Sequence, residues 1–94
     1  MMQIDSIKFL LAGILKKYSI KKAAIFGSFA RNEADANSDV DLLIETGTPL
    51  SLFDVLRMEK ELGSATNRKI DIVEYSAIKS SIRENILKEA ILIL

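Results

Sequence analysis

Cysteine, histidine and tryptophan are absent from this 94-residue chain, and proline occurs once, at Pro49. Without cysteine there is no disulfide, no thiolate zinc site and no thiol redox chemistry. Without histidine the chain lacks the commonest general base and the commonest transition-metal ligand. Whatever chemistry it performs must run on carboxylates, hydroxyls, backbone amides and hard metals with oxygen ligands. An excess of one charge is missing too. Thirteen acidic and thirteen basic residues cancel, so no global positive field draws nucleic acid to the surface and no direct nucleic-acid binding is expected. The basic pairs Lys16-Lys17, Lys21-Lys22 and Arg68-Lys69 are short and read as solvated faces. A membrane span needs about 20 apolar residues. The N-terminal apolar stretch is broken by Asp5, Lys8 and Lys16-Lys17, and the closing run covers only Ala90 to Leu94. No secretory leader is visible, and a soluble cytoplasmic protein is expected.

What is present is globular in character: 49% hydrophobic and 28% charged residues, neither disordered nor membranous. The length suits one small domain over residues 1–94. From Asp5 to Tyr18 the apolar residues Ile7, Leu10, Leu11, Ile14, Leu15 and Tyr18 make a helical stripe, with Asp5 or Ser6 as its cap. Lys22 to Phe26 reads as a buried strand ending at Gly27. Residues 28–32 allow no more than a helical turn, and residues 33–38 are polar loop. Asp39 to Glu45 is a second strand. Ser51 to Leu62 is a helix stopped by Gly63, and Lys69 to Tyr75 is a third strand. Ser80 or Ser81 caps a last helix running through Ile82, Ile86, Leu87, Ala90 and Ile93. The order is α-β-(turn)-β-α-β-α, an α/β (α+β) fold with a three-stranded mixed sheet backed by helices. The dozen or so residues between the first two strands permit either pairing direction, and pattern alone does not choose.

The chemistry gathers around Gly27-Ser28 and Ser38-Asp39-Val40-Asp41. Side chains alternate along a strand, so Asp39 and Asp41 project from one face while Val40 and Leu42 face the core. Two neighbouring carboxylates repel each other unless something positive lies between them, and a divalent cation is the simplest compensation. Asp71, between Ile70 and Ile72, is a charge in an apolar strand and calls for a partner. If its strand lies beside the second, Asp71 completes a triad and can take a proton from an attacking hydroxyl. Gly27 lets backbone approach a ligand closely, and the turn behind it offers N–H groups to phosphate oxygens. Ser28 adds a hydroxyl, and Arg31 either meets a phosphate or fixes the loop. The odd-numbered spacing of Asp35, Asn37, Asp39 and Asp41 also mimics a calcium loop. That reading fails because Val40 stands where glycine is needed and Thr46 where the bidentate glutamate belongs.

Taken together, Gly27-Ser28-Phe29-Ala30-Arg31, Ser38-Asp39-Val40-Asp41-Leu42-Leu43 and Lys69-Ile70-Asp71-Ile72-Val73 resemble the signature of the DNA polymerase β-like nucleotidyltransferase superfamily. The likeness is strongest to its minimal nucleotidyltransferases, the MNT or MntA-type antitoxins, and it covers nearly the whole chain. It implies that Asp39, Asp41 and Asp71 form the catalytic and metal-binding set. Asp39 and Asp41 would hold Mg²⁺ carrying ATP, with Asp71 the third carboxylate and base. Gly27, Ser28, Arg31 and Ser38 would make the nucleotide-binding turn. One departure is Asn32, where such proteins usually have glycine; asparagine tolerates the left-handed conformation better than most residues. The resemblance also implies a partner: a HEPN-domain toxin whose tyrosine hydroxyl receives AMP from ATP, in a hetero-oligomer with this chain. The final helix is more apolar than one core stripe requires, which suits such a partner. Two other functions fit the same residues. One is a non-catalytic antitoxin that neutralises its toxin by binding alone; the other is a nucleotidyltransferase acting on a small molecule.

Overall fold

The computed structural model describes residues 4–94 of the chain. Its elements are α1 (Ile4–Lys17), β1 (Ile20–Phe26), β2 (Val40–Thr46), α2 (Leu52–Thr66), β3 (Ile70–Glu74), a single 3₁₀ turn (Tyr75–Ala77), α3 (Ser80–Glu89) and β4 (Ile91–Leu92). The sheet is mixed and four-stranded, in the order β3-β2-β1-β4. The β1–β2 and β1–β4 pairs are antiparallel, whereas β2–β3 is parallel. The loop between β1 and β2 therefore returns the chain antiparallel. The β2–β3 connection runs through α2, as a parallel crossover requires.

β2 is central and buried on both faces. Val40, Leu42 and Ile44 join Ile7, Leu11 and Leu15 of α1 and Met58 and Leu62 of α2 in the main core. Leu43 faces the other way and packs with Ala24 and Ile78, against Phe26, Val73, Tyr75, Ile86 and Ala90. This explains why Leu42-Leu43-Ile44 is a continuous apolar run rather than an alternation. The first face carries two long helices. The second carries only α3 and the 3₁₀ turn, and all three aspartates belong to it.

Four expectations are corrected. α1 already includes Asp5 and Ser6, so neither caps it, and the capping position lies outside the described residues. α2 runs past Gly63 to Thr66 and ends at Asn67, which takes the left-handed conformation (φ 54°) and donates its N–H to Gly63 O. Its start is as expected, with Ser51 and Asp54 forming a reciprocal capping box. α3 begins at Ser80 behind Lys79, which makes no side-chain cap, so neither Ser80 nor Ser81 is the capping residue. Finally, the chain turns out of helix at Ala90 and forms a fourth strand. Ile91 pairs with Ile25 and Leu92 with Ala24, and Ile93 N–H donates to Ala23 O at 2.8 Å. Ile93 and Leu94 pack on the main core, so much of the apolar excess read as a surplus helix face serves the sheet. No helix among the described residues is long and apolar enough to cross a membrane.

Candidate functional site

The three aspartates meet where β1 ends and β2 and β3 begin. Phe26 pairs with Asp41 across the antiparallel ladder, and Asp41 pairs with Asp71 across the parallel one. Because Val40, Leu42, Ile70 and Ile72 pack on the main core, alternation places Asp41 and Asp71 together on the opposite face. Asp39 sits just before β2 and is half-buried, as Asp41 and Asp71 are. Burial, first, and then the charges of Asp71 and Asp39 push the Asp41 carboxyl above the usual carboxylate range; Glu89 adds to this and Arg31 opposes it. Lys69 Nζ lies 3.9 Å from Asp71 Oδ1 in an exposed pair.

Gly27 leaves β1 with φ +74°, and a Cβ at this position would overlap Asp41 Oδ2 and lie 3.1 Å from its Cγ. Only glycine satisfies both the backbone conformation and the space the carboxylate occupies. The turn then closes on itself: Arg31 N–H donates to Gly27 O (3.1 Å), Asn32 N–H to Phe29 O (3.3 Å) and Glu33 N–H to Ser28 O (2.8 Å). Asn32 adopts φ 58°, the left-handed conformation asparagine was expected to tolerate. Ser28 is half-buried in this turn.

Asp39 is delivered by a loop held from several sides. Asp35 N–H donates to Ser38 Oγ at 2.9 Å, and Asn37 N–H donates to Asp35 Oδ1 at 2.8 Å. The Ser38 hydroxyl is thus engaged in the turn that presents Asp39. Arg68 Nη1 donates to the carbonyls of Asp35 and Ser38, both at 2.9 Å, and its guanidinium lies 4.8 Å from the Phe29 ring centre. Phe29 in turn is buried in the main core. Arg68-Lys69 reads in the sequence as a solvated basic pair, because nothing local distinguishes a basic residue that spans two loops.

A second residue missed from sequence is Glu89, the last residue of α3. Gly27 N–H donates to Glu89 Oε1 at 3.0 Å, and Arg31 Nη1 donates to both carboxylate oxygens at 3.3 Å. Arg31 Nε also donates to Glu33 Oε1 at 2.7 Å. In the sequence Glu89 falls inside a helix that reads on to Ile93, so nothing local marks it; the structure ends that helix at Glu89, where the macrodipole disfavours an acid.

The donor set suits a hard divalent cation: every side chain in the acidic group offers oxygen, and Asp71 and Asp39 are close enough to raise the proton affinity of Asp41. Among the described residues no group of three or more acidic side chains is placed to hold one metal ion together. That fits magnesium, which is commonly held by one or two carboxylates and completed by water and substrate phosphates.

Comparison with known proteins converges on one group. The family described as Polymerase beta, Nucleotidyltransferase matches residues 10–94. "Putative protein adenylyltransferase MJ0435" of Methanocaldococcus jannaschii is 40% identical over 90 residues, 96% of this chain and 97% of that one. "Protein adenylyltransferase MntA" of Thermococcus cleftensis is 30% identical over 76 residues, 81% of this chain and 77% of that one. Among solved structures, one titled "Structure of putative minimal nucleotidyltransferase" superposes with a TM-score of 0.81 at 28% identity, covering 96% of this chain and 95% of that chain. Two more distant matches share the fold. A toxin–antitoxin structure with AMP-PNP gives a TM-score of 0.80 at 16% identity, covering 93% and 72% of the two chains. A tri-AMPylated Shewanella oneidensis HEPN toxin in complex with MNT antitoxin gives 0.74 at 13%, covering 96% and 71%.

Proposed function

Because this chain belongs to the polymerase β nucleotidyltransferase family, we propose that it transfers AMP from ATP to a tyrosine hydroxyl of a partner HEPN-domain toxin, and so acts as an antitoxin in the cytoplasm. The single observation that carries the chemistry is the register: Asp41 and Asp71 stand opposite each other on neighbouring strands, with Asp39 before them and Gly27 against the Asp41 carboxylate. The names of the adenylyltransferase relatives support the transferred group. The HEPN–MNT complex of the same fold supports the partner, and the AMP-PNP complex supports the nucleotide.

Each residue then has a role. Asp39 and Asp41, with Asp71 beside them, would hold magnesium, which supplies positive charge to the triphosphate. The N–H of Gly27, the Ser28 hydroxyl and the Arg31 guanidinium receive phosphate oxygens. Ser38 serves the nucleotide by fixing the turn that presents Asp39. Asp71 accepts the tyrosine proton as the phenolic oxygen forms a bond to the α-phosphorus. The bond from that phosphorus to the bridging oxygen breaks, and pyrophosphate leaves with the electron pair. Positioning and charge stabilisation supply the rate.

The test is to incubate the chain with the product of a neighbouring gene, magnesium and α-labelled ATP, and to read label and intact mass. Label and a mass gain of AMP units on the partner are expected, with both lost in Asp39→Asn and Asp41→Asn. Neutralisation of the partner without nucleotide would show that binding alone is enough. Unchanged labelling by either variant would remove the metal assignment.

A further inference from the structure

The Gly27 amide and the Arg31 guanidinium, which the reading above assigns to phosphate, are already bound to an anion of the chain itself. Glu89 Oε1 accepts from Gly27 N–H at 3.0 Å, and both carboxylate oxygens accept from Arg31 Nη1 at 3.3 Å. A carboxylate with one backbone amide and one guanidinium offers the same planar, anionic acceptor pattern as two oxygens of a phosphate. Its position is set by the sheet. Glu89 ends α3, Ala90 turns the chain, and Ile91 pairs with Ile25, two residues before Gly27. The carboxylate is thereby carried to the end of β1.

Electrostatics makes this an uneasy location for an acid. The C-terminal end of a helix carries partial negative charge, and Glu89 adds to the negative field around Asp41. The contacts that hold it there are the ones a phosphate would use. We infer that Glu89 is a resident phosphate surrogate, which a nucleoside triphosphate must displace from Gly27 and Arg31, so that this residue sets the affinity for nucleotide. The inference rests on the nucleotide reading above and deepens it. An occupied subsite lowers apparent affinity by the fraction of molecules in which it is vacant.

Wild type, Glu89→Gln and Glu89→Ala are titrated calorimetrically with magnesium-ATP and with tripolyphosphate, after circular dichroism has checked the fold. Glu89→Gln keeps the shape and an acceptor for Gly27 but removes the charge. It should bind both ligands several-fold tighter than wild type, and Glu89→Ala about tenfold tighter, on the order of the vacancy fractions typical of such equilibria. Glu33→Gln is the control: Glu33 pairs with Arg31 Nε at 2.7 Å but leaves Glu89 on the Gly27 amide, so its affinity should change less than about twofold. Equal or weaker binding by Glu89→Gln would mean that Glu89 supports the turn and would overturn the inference while leaving the nucleotide reading intact. So would a gain in Glu33→Gln matching that in Glu89→Gln, since bulk charge would then be the cause. If wild type and every variant bind neither ligand, both readings fall.

Discussion

Gly27→Ala separates the two demands placed on that position. The backbone sits at φ +74°, and an L-residue in the left-handed region costs about 1–2 kcal/mol. The new methyl would also overlap Asp41 Oδ2, with Cγ at 3.1 Å and Cβ at 3.4 Å. A carboxylate can escape by rotating, at about 0.5–1.5 kcal/mol for an off-rotamer side chain. The total loss of stability should therefore be about 1.5–3.5 kcal/mol, read by urea unfolding. Activity should fall much further, because the rotated carboxylate is the one proposed to hold the metal, and a shift of about 1 Å costs roughly a hundredfold. An Asp41→Ala background isolates the collision. Only the Cβ contact at 3.4 Å then remains, so Gly27→Ala should cost the backbone part alone, leaving a coupling of about 0.5–1.5 kcal/mol in the double-mutant cycle. Gly13→Ala is the opposite control: nothing lies within 4 Å of its Cβ, and alanine within α1 should stabilise by about 1 kcal/mol. A Gly27→Ala cost identical in both backgrounds, or AMP transfer within threefold of wild type, would refute the reasoning.

Asp41→Asn should stabilise the fold while it abolishes transfer. The folded state raises the Asp41 proton affinity through burial and the neighbouring Asp71 and Asp39, so the native state holds that proton more tightly than the unfolded chain. Stability from this group is then greatest below the ordinary carboxyl range and is lost as pH rises through the raised value. Denaturation from pH 4 to 7 should find the variant's advantage growing with pH, and an asparagine variant less stable than wild type at pH 7 would contradict it. Arg68→Ala should release the loop that carries Asp39 by removing the two 2.9 Å bonds to Asp35 and Ser38 and the stack on Phe29. Transfer should drop by roughly ten- to a hundredfold, with a stability loss of about 1–2 kcal/mol, and an unchanged rate would show that the loop holds itself.

The elements with long, regular periodicity were legible in the sequence, and so was the chemistry carried by adjacent residues. The α1 stripe packs as its spacing requires, with Ile7, Leu11 and Leu15 fully buried. Asp71 stands beside Asp41 because β3 lies parallel to β2, the adjacency on which the triad reading depends. What escaped depends on contacts remote in sequence. Ala90 to Leu94 is short and apolar throughout, and such a run does not distinguish helix from strand; its pairing with β1 decides. Gly63 looked like a helix stop, but its lack of a side chain serves the approach of Arg68 O, which would lie 3.1 Å from a Cβ there. The helix ends instead at Asn67, which supplies the left-handed turn. Arg68 and Glu89 act across 30 and 62 positions, and neither spacing leaves a local trace.

The three aspartates are held with different firmness, and the fold compensates where the backbone is least constrained. Asp41 lies on the central strand, paired on both sides and flanked by the buried Val40 and Leu42, so its direction is set by the most rigid part of the sheet. Asp71 lies on β3 at the edge of the sheet order, with one neighbouring strand. Asp39 precedes β2 and belongs to no ladder, yet Val40 N–H is bonded to Lys69 O at 2.9 Å and Arg68 grips the loop behind it. The same short segment before β3 therefore ties down the residue that β2 leaves outside. The repulsion of clustered carboxylates opposes folding, and the strand best able to bear it is the one with both faces covered. The result is a gradient, from Asp41 fixed by two ladders, through Asp71 fixed by one, to Asp39 fixed by the Val40–Lys69 backbone bond and the Arg68 side chain.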